Sequence, residues 1–190
     1  MKKGLRILGI DDGPFKKGVD RSTVLVGVLI KFNSYIEGIS IDKVQVDGND
    51  SGERIVSLAS GRFRSEINFI MTDGITFGGF NIMDIEYVYE RTGIPVISVA
   101  RRRPDIGAMV MALKKHFDDY EARISIINKS NATEISSGGK NIYINYHGIS
   151  LEEAKTVVKN STVMGNMPEP VRIAHIIASA IINGESYGRP

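Results

Sequence analysis

Apolar residues fall in short runs broken by glycine and polar clusters, and the period of those runs changes along the chain. Leu5 to Ile10 has the pattern of a β-strand that ends at Asp11-Asp12-Gly13. Alternation places Asp11 on the face of Leu5 and Ile7, and Asp12 on the face of Leu8 and Ile10, so only one of the two carboxylates points into any given site. Thr23 to Phe32 (TVLVGVLIKF) and Ile36 to Val46 give the second and third strands, and their short connections predict an antiparallel meander. A short helix over Arg54 to Ala59 follows, with Asp50 or Ser51 as its N-cap.

Ile67 to Met71 (INFIM) is apolar on both faces, the mark of a central strand covered by helices, and it runs out at Thr72-Asp73-Gly74. Met83 to Arg91 is a predicted helix stopped by Gly93 and Pro95. Pro95 to Ala100 is the next strand. Pro104 to Phe117 is a helix with Ile106, Met109, Val110 and Leu113 as its apolar stripe. Arg123 to Ile127 and Asn141 to Tyr146 are expected strands, Leu151 to Lys159 an amphipathic helix, and Pro168 to about Ile182 the last helix. Three strands, then alternating helix and strand, then terminal helices describe one α/β domain over residues 1–190, a mixed sheet flanked by helices.

Composition narrows the class. The 190 residues suffice for a real core, and 42% hydrophobic with 24% charged residues is ordinary for a globular protein. Cysteine is absent, which excludes disulfides and thiolate metal sites. No apolar run has the length of a membrane span. The apolar stretch after Met1 is too short for a leader and is interrupted by two aspartates, so a cytoplasmic protein without a membrane partner is expected. A net charge of +2 does not by itself point to nucleic acid. Arg101, Arg102 and Arg103 are consecutive, however, and Lys114, Lys115 and His116 follow on the next helix, either as a solvated face or as a phosphate-contacting patch.

Two carboxylates lie just past strongly apolar strands, Asp11 after RILGI and Asp73 after INFIMT. Sites in open α/β sheets gather at the carboxyl ends of strands. If those strands are neighbours, the two acids repel, and a divalent cation with oxygen ligands resolves the conflict. Asp-Gly is also a simple turn signal. A third carboxylate would come from Asp50 or Glu53, although acids favour first helical turns for capping alone. Their chemistry does not separate them, and we take Asp50. His175 lies on the final helix, one turn after Arg172 and on the same side, within an otherwise apolar stretch that also suits a structural histidine. Gly74 opens a glycine-rich segment, GITFGGFN, that lacks the Gly-Lys-Ser/Thr of a phosphate loop and either permits close approach of the backbone or is simply a mobile loop.

The segments GIDDGPF, TDGITFGG, GIPVISVARRRPD and PEPVRIAHIIASAI together resemble the endonuclease dU family, over nearly the whole chain. That family is similar in turn to endonuclease V, and here the resemblance is confined to motifs in the same order. It implies an RNase H-like fold and metal-dependent cleavage of phosphodiester bonds, in DNA at deaminated bases such as deoxyuridine. It places Asp11 and Asp73 at the metal, and Asp50 or Glu53 where endonuclease V has a glutamate. His175 then stands near the metal, in Pro170-Val171-Arg172-Ile173-Ala174-His175. Arg101 stands where endonuclease V has lysine after Val-Ala, and an arginine keeps its charge for phosphate but does not give up a proton. The His-Pro-Arg element and the Pro-Tyr-Ile-Pro wedge of endonuclease V are missing.

The expectation is therefore an endonuclease dependent on Mg²⁺ or Mn²⁺ and acting on nucleic acid, DNA in the first instance. Asp11, Asp50 and Asp73 hold metal, His175 orients water or protonates the leaving oxygen, and Gly74, Arg101 and Arg172 contact substrate. Two alternatives stand beside it. One is a nucleic-acid-binding protein without catalysis. The other is a nucleotide phosphotransferase of the related actin-like ATPase fold, which GIDDG faintly resembles.

Overall fold

A computed structural model describes residues 4–32 and 35–186, so the outermost residues of the expected 1–190 domain lie outside the described part. The strands are β1 (Arg6–Asp12), β2 (Ser22–Lys31), β3 (Ile36–Gln45), β4 (Phe69–Asp73), β5 (Thr76–Phe77), β6 (Asn81–Ile82), β7 (Val96–Ala100), β8 (Thr133–Ser137) and β9 (Lys140–His147). The helices are α1 (Ser51–Ala59), α2 (Ile85–Thr92), α3 (Ile106–His116), α4 (Tyr120–Lys129), α5 (Leu151–Ser161) and α6 (Glu169–Asn183). Seven strands form one sheet in the order β3-β2-β1-β4-β7-β9-β8. β1, β2 and β3 make the expected antiparallel meander, β4 and β7 run parallel to β1, and β9 and β8 return antiparallel.

Period-two alternation divides the core between the two faces of the sheet. Leu8, Ile10, Leu25, Leu29, Ile70 and Val96 pack with Ile55 and Ala59 of α1 and Val88 of α2. Ile7, Met71, Ile97 and Val99 turn the other way, onto Val157 and Val158 of α5 and Val171 of α6. Val24, Val26 and Val28 meet Ala174 and Ala178 of α6 on that same side. Burial of Ile70 on one face and Met71 on the other follows from this double cover.

Two expectations are corrected. Arg123 to Ile127 is not a strand but the centre of α4. Its β-branched residues suggested extension, but tertiary contacts override that preference. Arg123 pairs with Asp119 one turn earlier at 2.8 Å, and its Nη1 donates to the carbonyl oxygens of Gly48 and Phe80. Ile127 packs with Ile82 and Leu113. The glycine-rich segment is also built rather than open. β5 and β6 pair as a small ribbon, and its turn residues Gly78 and Gly79 take φ of 51° and 94°. Phe80 N–H and Gly78 N–H donate to the carboxylates of Asp47 and Asp12, each at 2.8 Å.

α6 lies directly against β1. A Cβ added at Gly9 would fall inside the carbonyl group of Pro170, and one at Gly13 would meet the side chains of Val24 and Ile182. Gly9→Ala therefore forces backbone apart rather than a flexible side chain. It is expected to lower the unfolding free energy by about 2–3 kcal/mol, read from urea melts. An unchanged urea midpoint would contradict this close seating of the helix.

Candidate active site

The same alternation that builds the core sets the direction of the polar residues at its carboxyl end. Asp11 follows Ile7 and Gly9 on the α6 side of β1, and Asp73 follows Met71 on the α6 side of β4. Parallel pairing of the two strands brings both carboxylates to one edge. Five residues beyond Pro170, α6 carries His175 over them. One ligand atom each from Asp11, Asp73 and His175 lies within 4.8 Å of the others, and this is the one such group among the described residues. Ligands on opposite sides of a Mg²⁺ stand about 4 Å apart, so the span is of the size that one cation bridges.

Nδ1 of His175 lies 2.7 Å from Oδ2 of Asp11, while Oδ1 of Asp11 accepts the Asp12 N–H at 2.9 Å. Burial is the largest influence on Asp11 and holds its carboxyl above the ordinary range, against the hydrogen bond and charge of His175. The bond to Asp11 raises His175 in turn, with burial opposing. Both partners move upward because dehydration of Asp11, which is only 5% exposed, outweighs its gain from pairing. Asp73 is pushed up to about 6, first by burial and then by the charge of Asp11. Asp12 faces the other way, as alternation required. Burial and the charge of Asp11 push it up to about 7, while its bond from Gly78 opposes.

Arg101 continues the Ile97–Val99 alternation and emerges on the acidic side, where its charge favours ionisation of both Asp11 and Asp73. Its Nε is buried and has no hydrogen-bond partner. Gly74 follows Asp73 with φ 69° and donates its N–H to Val99 O at 2.8 Å.

Two expected site residues stand apart. Asp50 is not part of the carboxylate–histidine group, so the expected third ligand is not supplied there. Its Oδ1 accepts from Asn81 Nδ2 at 2.7 Å and Gln45 N at 3.1 Å, and its Oδ2 from Arg54 Nε at 3.0 Å. Burial alone would raise its pKa, but these three donors more than offset that and lower it. Glu53, the other choice, is exposed on α1. Arg172 spends its Nε and Nη2 on both oxygens of Glu169 on its own helix, so that edge of its fork is occupied. Sequence could hint at both outcomes, through acid capping and through the i, i+3 Glu169–Arg172 spacing.

The architecture matches known structures. Over 90% of this chain and 83% of the other, it superposes on Ciona intestinalis endonuclease V in complex with a 24mer DNA containing an inosine followed by a ribo-adenosine. The TM-score is 0.59 at 18% identity, which shows a shared RNase H-like fold. Residues 3–182 match the family model described as Endonuclease dU, and the chain belongs to that family. A UPF0215 protein of Methanothermobacter thermautotrophicus is 41% identical over 99% of this chain and 93% of its own length. The crystal structure of a protein of unknown function from Archaeoglobus fulgidus superposes with TM-score 0.83 at 40% identity, over 93% of this chain and 98% of that one. No helix among the described residues is long and apolar enough to cross a membrane.

A carboxyl whose folded pKa lies above its ordinary value binds a proton that the unfolded chain releases. Without metal, Asp73 therefore stabilises the fold below pH 3.8, and that contribution is lost as pH rises through about 6. Asp73→Asn removes the buried charge. It should make the metal-free protein more stable than the parent at pH 8, by on the order of 2 kcal/mol, with the gap closing near pH 4. Melts that show no gain at pH 8 would refute this. Asp50→Ala should act oppositely, costing about 1–3 kcal/mol through its stranded donors. Calorimetric titration should find its Mn²⁺ affinity unchanged.

Proposed function

We propose that the protein is a metal-dependent endonuclease that hydrolyses phosphodiester bonds, in DNA at deaminated bases such as deoxyuridine. The observation that supports this most is the convergence of Asp11, Asp73 and His175 on one strand edge beside Arg101, whose buried Nε has no hydrogen-bond partner among the described residues. Two repelling, dehydrated carboxylates with an imidazole fit the oxygen-rich donor set that Mg²⁺ or Mn²⁺ prefers. Asp11 and Asp73 would hold the ion. Bound there, it would polarise the phosphate and lower the pKa of an attacking water.

The chain's own groups divide the remaining work. Asp11 fixes the His175 ring through Nδ1, while Nε2 makes no hydrogen bond among the described residues and belongs to a half-exposed side chain. The bond to Asp11 raises the pKa of His175 and so favours its protonated ring, which would deliver a proton through Nε2 to the leaving oxygen. Arg101 would hold a non-bridging phosphate oxygen through its guanidinium. Gly74 lets the sugar–phosphate chain approach the strand end closely. Family membership and the endonuclease V fold support the reaction class, and deoxyuridine rests on the family description alone.

The decisive assay uses purified protein with Mg²⁺ or Mn²⁺ and oligonucleotides carrying one deoxyuridine, one inosine or an abasic site. Cutting at a defined position is expected, abolished by chelation. Asp11→Ala and Asp73→Ala should be inactive, and His175→Ala slower by about 10²–10⁴-fold. Cleavage retained by both aspartate variants would defeat the assignment.

A further inference from the structure

Across the sheet edge from the acidic group lies a second built feature. A cavity of ≈ 530 Å³ is lined by Gly74, Ser98, Arg102, Pro104, Met109 and Asn145, among others. Ser98 sits between Ile97 and Val99 on β7 and therefore faces away from α6, and Asn145 of β9 is its register partner. The cavity and the acidic group thus occupy opposite faces but share one strand end, because Gly74 directly follows Asp73.

Asn145 is 7% exposed, and its Oδ1 is buried with no hydrogen-bond partner. Its Nδ2 lies 3.5 Å from Ser98 Oγ, at the outer limit of a hydrogen bond. An idle buried amide costs stability. A ligand that supplies an adjacent donor and acceptor would satisfy it. The volume is within the range of small-molecule sites. Arg102 and Arg103 at the rim are exposed and form no ion pair among the described residues, which suits an attached phosphate.

We infer that this cavity receives a nucleobase turned out of its strand, and that the Asn145 carboxamide bonds the base edge, a ring or exocyclic N–H beside an acceptor. This rests on the nuclease reading, and it names the part of the substrate that selects the site of cutting. The phosphate of the same nucleotide then lies over the strand end near Asp73, and the base passes Gly74 into the cavity. A base already unpaired or mispaired leaves the stack most easily.

The test separates binding from cutting. Fluorescence anisotropy without divalent metal compares single-stranded oligonucleotides that differ at one central position, bearing uracil, hypoxanthine, cytosine or no base. The parent should bind at least one base-bearing strand about tenfold tighter than the abasic one, as one or two buried hydrogen bonds allow. Which bases gain tells a ring N–H from an exocyclic amine. Asn145→Ala should bring the ratio to about one while leaving abasic affinity unchanged. Ala132→Trp, at an exposed rim position, should fill the cavity with the same result and guards against misfolding of the buried variant. The inference is overturned if the parent binds the abasic strand as tightly as every other, or if both variants keep the parent's ratio. Cutting is scored separately with Mg²⁺. A parent that discriminates but never cuts sinks the nuclease reading and keeps the pocket. One that cuts but binds without regard to base sinks the pocket alone.

Discussion

Gly9 has no side chain, and the backbone of Pro170 occupies the space that one would fill. That contact fixes where α6 meets β1, and the two elements run in the same direction from it. A helix rises about 1.5 Å per residue and a strand about 3.3 Å, so five residues of α6 advance about as far as two of β1. His175 therefore arrives over Asp11. The match continues to Gly13, whose surroundings include Ile182 and the carbonyl of Ala178. One missing side chain at the middle of a strand thus sets a distance several residues away, between the imidazole and the carboxylate.

The site that results is electrostatically expensive. Asp11 and Asp73 are both held above their ordinary pKa values, chiefly by burial. Only some of that cost is offset locally, by Arg101 and by the bond between His175 and Asp11. A fold selected for stability alone would replace such acids with apolar residues. Asp50 makes the contrast plain. It too is buried, but three donors satisfy it, its pKa falls, and it ties the end of β3 and the start of α1 to β6. Dehydrated acids with raised pKa values are the candidates for chemistry, whereas Asp50 serves structure.

Much of the fold and half of this distinction were legible in the sequence. The alternation of RILGIDD showed that two adjacent aspartates turn to opposite faces, and the doubly apolar INFIM announced a central strand. Strand adjacency was beyond reach of pattern, because nothing in INFIM says that it pairs with β1. The role of Asp50 was hidden for a similar reason. Its partner Asn81 lies thirty-one positions away, in a segment that looked like a loose glycine-rich loop. ARISII looked extended because its β-branched residues carry that preference, and only the contacts of Arg123 with Gly48, Phe80 and Asp119 show why it coils. Asn145 gave no signal at all. An asparagine in a strand is unremarkable until its amide is found buried without a partner.

The two faces of the sheet divide labour at a single strand end. On β4, Thr72 and Asp73 point oppositely, and Gly74 then turns with φ 69°. Past the end of β7, Arg101 turns to the acidic side, opposite to Ser98. A slip of one residue in either strand would exchange the two faces. Parallel pairing of β1, β4 and β7 keeps all three carboxyl ends level, which neither a hairpin nor a loop would do so rigidly. In the proposed nuclease reading, a nucleotide laid across that edge would be divided by the sheet itself, its phosphate on the acidic side and its base on the other. Register, more than any single side chain, is what sets the acidic edge beside the cavity.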